Sequence, residues 1–175
     1  MSPSPARRRV LLLWGFMGVG KSAVGRRLAE RLAVEFVDLD DRVEARAGVS
    51  VAQLFASRGE AAFRALERAE VLLSLEAPAP VVVALGGGAL LEPRLREAAL
   101  ERSFVVVLGA TVDTLVQRTR GSARPLLAPT PEVAIPRLLA QRARAYADAH
   151  VTVRSDGRSV EDLASDLAHL WLGWT

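Results

Sequence analysis

No cysteine occurs in this chain of 175 residues. That absence removes disulfides, thiolate metal sites and a cysteine nucleophile, and it fits a reducing compartment. Histidine is nearly as scarce. His150 falls at the edge of a late strand and His169 in a C-terminal helix, so neither a histidine triad nor a histidine-built metal centre is expected. No apolar run approaches the roughly 20 residues of a membrane span. Met1 to Arg9 holds no apolar stretch of the signal-peptide kind. We therefore expect a soluble, cytoplasmic protein with no membrane partner. Lysine is the most telling scarcity: among 23 basic residues, Lys21 is the single lysine. It stands where a compact, flexible point charge serves better than the planar fork of arginine.

What is present bounds the rest. Half of the residues are apolar and the net charge is +3, enough for one well-buried domain and too little charge excess to suggest a polyanionic partner. Basic residues are not interleaved with aromatics as in nucleic-acid binders, so no nucleic-acid partner is expected and the arginines are read as local anion binders. Residues 1–9, with Ser2-Pro3-Ser4-Pro5 and then Arg7-Arg8-Arg9, read as a disordered leader. Residues 10–175 read as a single domain.

Lys21 closes the sequence Gly15-Phe16-Met17-Gly18-Val19-Gly20-Lys21-Ser22, a glycine, four free positions and then Gly-Lys-Ser. Val10 to Trp14 precedes it as a buried strand, and a helix spaced from Ala23 to Ala33 follows. That is the context of a phosphate-binding loop. Backbone N–H groups of such a loop turn inward on a polyphosphate, and the helix N-terminus adds its positive end. Lys21 is placed to reach the outer phosphates, and the Ser22 hydroxyl to ligate Mg2+.

Downstream, strands and helices alternate, which requires a parallel sheet with helices on both faces. Glu35 to Asp41 reads as a short strand running into carboxylates, with Asp41 capping a helix from Arg42 to Ala47. This leaves Asp38 and Asp40 at the C-terminal edge of the sheet, facing the loop. Ser50 and Gln53 form a capping box for a short helix, and a longer one runs from Arg58 or Gly59 to about Ala77. It carries Phe63, Arg64 and Glu67 within one turn. Strand 81–85 runs into Gly86-Gly87-Gly88, which reads either as bare backbone against a ligand or as a tight turn. Further elements are a helix at 93–102, a strand at 104–108 and a helix at 111–119. Residues 120–130 have no clear period and read as a lid. Pro131 suits a helix start, whereas Pro136 forces that helix to begin late or to kink. A last strand at 151–153 and a last helix at 160–172 close the chain.

With the phosphate loop, Asp38-Leu39-Asp40, Phe63-Arg64, Gly86-Gly87-Gly88, Arg124-Pro125-Leu126 and Arg142 followed by Tyr146 in view, residues 10 to about 160 closely resemble the shikimate kinase family. The resemblance implies a three-layer α/β P-loop kinase fold with a five-stranded parallel sheet, a substrate-binding segment at about 39–68 and a lid at about 119–131. It implies ATP as co-substrate with Mg2+ as cofactor, shikimate as acceptor at its 3-hydroxyl, and a monomer of the aromatic amino acid pathway. The implied nucleotide site comprises Gly18, Val19, Gly20, Lys21, Ser22 and Ala23, with Arg118 stacking on adenine and Arg124 closing over the γ-phosphate. Arg158 belongs to this set by position, although Arg154-Ser155-Asp156-Gly157-Arg158 departs from the family's usual turn after the last strand. Asp38 is the implied outer partner of a metal held by Ser22. On the acceptor side, Arg64 and Arg142 are implied carboxylate binders, Asp40 the base, Gly87 and Gly88 the backbone support and Glu67 a brace for the arginines, with Phe55 and Phe63 walling the ring. A gluconate or nucleoside-monophosphate kinase on the same fold is the alternative enzyme. A nucleotide-dependent switch is the alternative from another class. Paired arginines beside Asp40 speak against a nucleotide acceptor, and a lone lysine leaves no Asn-Lys-x-Asp guanine motif.

Overall fold

The computed structural model describes residues 9–120, 127 and 130–174. Five parallel strands, β1 (Val10–Gly15), β2 (Glu35–Asp38), β3 (Val81–Ala84), β4 (Phe104–Gly109) and β5 (Val151–Arg154), form one sheet in the order β2-β3-β1-β4-β5. β1 is therefore central, pairing Leu13 with Ala84 on one side and with Val106 on the other. All six of its residues are buried, which explains why its sequence is a continuous apolar run rather than an alternation.

The period of two along β1 divides the interior. Leu11 and Leu13 point into a core with Val24 and Leu28 of α1 (Lys21–Leu32) and with Leu163 and Leu167 of α7 (Val160–Gly173). Leu12 and Trp14 point into the opposite core, with Val71 and Leu75 of α3 (Val51–Leu75) and Leu95 and Ala99 of α4 (Pro93–Arg102). The result is a three-layer α/β fold. α5 (Val112–Thr119) and α6 (Pro131–Tyr146) lie between β4 and β5 in the chain. α6 begins in the first core with Ala134 and Ile135 and ends in the second with Ala145. A smaller third cluster, Val43, Leu54 and Phe63, packs α2 (Leu39–Ala47) onto α3. The buried Glu70 ties the same pair together through Arg46 at 2.8 Å.

Several boundaries differ from the sequence expectation. β2 stops at Asp38, and α2 starts at once at Leu39 with Asp38, not Asp41, as its N-cap: the Asp38 side chain accepts from the Asp40 N–H at 3.2 Å. Asp38 is the last residue of the ladder, paired with Ala84, so the carboxylate at the end of the strand becomes the cap. α3 spans Val51 to Leu75 as two helical stretches joined at Gly59, which stands at φ 78° and ψ 171°. The break expected at Arg58 or Gly59 is thus present at that glycine, as is the Ser50–Gln53 capping box. α6 starts at Pro131, not late, and carries Pro136 inside it. Of the expected lid, Thr119, Arg120, Leu127, Thr130 and Pro131 fall within the described set; Leu127 is buried in the first core, and Arg124 lies outside the described residues.

Candidate active site

α1 opens on Gly20, which stands at φ 98° and supplies no side-chain cap. Glycine is suited to that left-handed conformation. The uncapped first turn leaves N–H donors directed at whatever sits over the loop. Lys21 Nζ folds back across the loop and donates to the Gly15 and Phe16 carbonyls, 2.9 Å each. Ser22 Oγ donates to Asp38 Oδ2 at 2.6 Å, which joins the start of α1 to the end of β2. Arg118 reaches from α5 toward the Gly18 and Val19 carbonyls, 3.4 Å each, and toward Ser155 Oγ at 3.3 Å. The unusual turn after β5 has a structural task. Asp156 accepts from the Thr111 N–H at 2.8 Å and the Thr111 hydroxyl at 2.9 Å, and these donors hold its carboxyl at a pKa of about 2.

At the other end of the same cavity, α3 and α6 bring two guanidinium groups together. Arg64 donates to Glu67 at 2.5 Å and to Glu60 at 3.2 Å, and lies over the Phe63 ring at 5.1 Å. Arg142 is only 4% exposed, lies over the Phe16 ring at 5.3 Å, and its Nη1 has no hydrogen-bond partner among the described residues. Glu67 Oε1 is likewise buried and without a partner there. Buried polar groups are normally satisfied, so an unpartnered guanidinium nitrogen and an unpartnered carboxylate oxygen lining one cavity mark a place built for a ligand. Burial pushes the Glu67 carboxyl up against the pull of Arg64. Burial also raises Asp40, the Asp38 charge adds to the rise, and Lys21 opposes it.

Gly86-Gly87-Gly88 forms the floor, and none of the three has a positive φ. The constraint there is space. A Cβ on Gly86 would collide with Glu67 Oε1, one on Gly87 would lie 2.8 Å from Arg142 Nη1, and one on Gly88 would lie 2.7 Å from Arg64 Nη2. Each glycine thus makes room for one of the three charged side chains.

One cavity of about 480 Å3 is lined by Gly18, Gly20, Lys21, Ser22, Ala23, Asp38, Asp40, Phe55, Phe63, Arg64, Glu67, Gly87, Gly88, Arg118 and Arg142. Almost every residue expected from the sequence is therefore brought together. Val19 is an exception, since its side chain is buried in the first core and only its backbone belongs to the loop. Arg158 is another: it pairs with Asp166 of α7 at 2.6 Å and does not line the cavity. Sequence reading missed Val51, Ala84 and Leu85 in the lining, left Met17 and Gly86 out of the site although it quoted their motifs, and gave Trp14 no role beyond its strand. The clue to Trp14 was its place in a fully buried strand, because a buried indole N–H needs an acceptor.

A strand-loop-helix anion cradle with a lysine, facing a carboxylate and a pair of guanidinium groups across one cavity, defines a P-loop kinase of a small anionic acceptor. A family model described as shikimate kinase matches residues 17–170. The chain is 43% identical over 167 residues to a shikimate kinase of Geobacter sulfurreducens, covering 94% of this chain and 91% of that protein. It is 40% identical over 173 residues to one of Thermus thermophilus, covering 97% and 92%. Among solved structures, a shikimate kinase from Acinetobacter baumannii in complex with shikimate superposes with a TM-score of 0.88 at 36% identity, over 94% of this chain and 93% of that one. A gluconokinase from Sinorhizobium meliloti, at 16% identity and a TM-score of 0.60, shares the fold. This chain belongs to the shikimate kinase family.

Proposed function

We propose that the cavity binds ATP at the Lys21 end and shikimate at the Arg64 and Arg142 end, and that the γ-phosphoryl group passes to the 3-hydroxyl between them. The observation that carries this reading is the orphaned Arg142 Nη1, held beside Arg64 in the same cavity as Lys21 and Ser22. A carboxylate on the acceptor gives both forks a partner of matching charge and shape. Glu67 then holds Arg64 in place, Phe55 and Phe63, 4.8 Å apart, wall the ring, and the Gly87 and Gly88 backbone supports it.

In the reaction the bond from the γ-phosphorus to the β,γ-bridging oxygen breaks as the bond to the acceptor oxygen forms, and the hydroxyl proton passes to Asp40. The raised pKa of Asp40 suits it to take that proton. Lys21 exchanges its two carbonyl partners for phosphate oxygens. Arg118 lies at the adenine side, and Arg124 is assigned to the transferring phosphoryl group from its place in the sequence. Ser22 and Asp38 present hard oxygen donors beside the loop. Among the described residues no group of three or more His, Cys, Asp or Glu could hold a metal ion by itself. That donor set fits Mg2+, which keeps several waters and takes further ligands from substrate phosphates. Bound there, Mg2+ neutralises phosphate charge. No helix among the described residues is long and apolar enough to cross a membrane, and we assign the activity to a monomer in the cytoplasm.

The test is ATP turnover with shikimate, gluconate and nucleoside monophosphates, paired with Arg64→Ala. Shikimate alone should support turnover. The variant should weaken shikimate binding about tenfold to a hundredfold, the worth of one charge-assisted pair, with ATP affinity unchanged. Turnover with gluconate equal to that with shikimate, or loss of ATP binding instead, would remove the assignment.

A further inference from the structure

The Gly87 carbonyl accepts two hydrogen bonds from side chains far away in the sequence: Trp14 Nε1 at 3.2 Å and Tyr146 Oη at 2.9 Å. The two rings meet edge to face, 4.7 Å between centroids at 88°. Trp14 is fully buried in the central strand. Burial pushes the Tyr146 phenol up against the pull of Arg142, with which it also shares a hydrogen bond, so it stays protonated. A carbonyl oxygen has two lone pairs, and here both are used.

Three successive glycines can rotate their peptide planes more freely than any other tripeptide. In the trans peptide joining Gly87 to Gly88, the N–H points opposite to the carbonyl. With the oxygen drawn into the Trp14 and Tyr146 wall, the Gly88 N–H is turned away from that wall, on the side of the chamber that Gly88 lines. A flipped plane would instead offer a carbonyl oxygen to an anionic acceptor already gathered by Arg64 and Arg142. That reversal of a local dipole would repel the ligand.

We infer that Trp14 and Tyr146 are positioning residues for the acceptor: they lock the Gly87–Gly88 peptide with its donor toward the chamber and so set the affinity for a carboxylate-bearing substrate without touching it. This rests on reading the Arg64 and Arg142 end as the acceptor chamber. Because the two donors share one oxygen, either can hold the plane alone in part, and their effects are coupled.

The test uses Trp14→Phe, Tyr146→Phe and the double variant, with Leu12→Val as a control that loosens the same core without touching Gly87. Dissociation constants for shikimate and for ATP are measured separately by calorimetry, and thermal stability is followed for all four. Each single variant should weaken shikimate binding about threefold to tenfold, the worth of one neutral hydrogen bond. The double variant should lose more than the product of the two, with ATP affinity held within twofold throughout. Leu12→Val should lower the melting temperature and leave both affinities alone. Shikimate binding within twofold of wild type in the double variant overturns the inference, as does an equal loss for both ligands or an equal loss in the Leu12→Val control. If the wild-type protein itself fails to bind shikimate, the reading of the chamber falls, and this inference with it.

Discussion

Asp40 is held at a cost to the fold. Burial and the neighbouring Asp38 charge raise its pKa, so over a window above the ordinary carboxylate value the native state keeps a proton that the unfolded chain has released. Stability contributed by such a group is present below that window and declines as pH rises through it. Glu67 is raised by burial in the same direction. Replacing Asp40 by Asn removes a buried charge and, on our reading, the base. Turnover should fall by about 10²- to 10⁴-fold, while the melting temperature at pH 7 rises above wild type. The gain should vanish near pH 4, where an ordinary carboxyl is half protonated. A melting temperature lower than wild type at every pH would contradict the account. Lys21, Ser22, Asp38 and Asp40 were legible because each follows a short apolar strand, whereas Arg64, Glu67, Arg118, Arg124 and Arg142 came only from the resemblance to a family. The role of Trp14 was not legible, since nothing local tells which way the Gly87 carbonyl points.

At the scale of elements, Gly59 divides α3 between the turn bearing Phe55 and the turn bearing Phe63 and Arg64. Its φ of 78° with ψ of 171° lies where side chains other than glycine's are strained by about 1 to 3 kcal/mol. Nothing lies within 4 Å of a Cβ added there. Gly59→Ala should therefore lower the unfolding free energy by that amount through backbone strain alone, read by urea denaturation with an unchanged m-value; equal stability would show that the helix can straighten. Gly88→Ala tests the opposite case. Its Cβ would meet the Arg64 guanidinium at 2.7 Å, so the guanidinium must move, and its pair with the buried Glu67 is strained. Shikimate affinity should drop about tenfold or more with the displaced guanidinium, and the urea midpoint should fall as Glu67 loses its partner; an unchanged affinity would show that Arg64 stays in place. The kink at Gly59 and the capping box were readable because glycine and Ser-x-x-Gln act locally. The start of α2 was misplaced because Asp38, Asp40 and Asp41 all make good caps, and only the end of pairing at Asp38–Ala84 selects among them.

The whole molecule places its two ligands on parts with different anchors. The phosphate loop hangs on α1, packed in the first core, and on β1, which faces both main cores, whereas Arg64 rides on α3 beside the second and third cores and Arg142 on α6, which runs from the first core to the second. A ligand that binds only the folded protein adds about 2.7 kcal/mol at a hundredfold excess over its dissociation constant. For a domain of this size that is a rise of roughly 5 to 10 °C in melting temperature. A non-hydrolysable ATP analogue and shikimate should each give such a rise, and together a larger one. A combined rise no greater than that of either ligand alone would mean that they compete for one end of the cavity.

By itself the sequence determined the buried strands, whose apolar runs admit no exposed alternative, and the phosphate loop, whose function depends on contiguous residues. It also determined the alternation of strand and helix that dictates a parallel sheet. Tertiary structure alone decided which charged groups share a cavity, because Asp40, Arg64 and Arg142 are brought together by the order of strands and not by their spacing. It decided too that the three glycines serve Glu67, Arg142 and Arg64 by leaving space. The orientation of one peptide plane was likewise decided by Trp14 and Tyr146, which stand 73 and 59 residues from Gly87, a separation across which no local pattern acts.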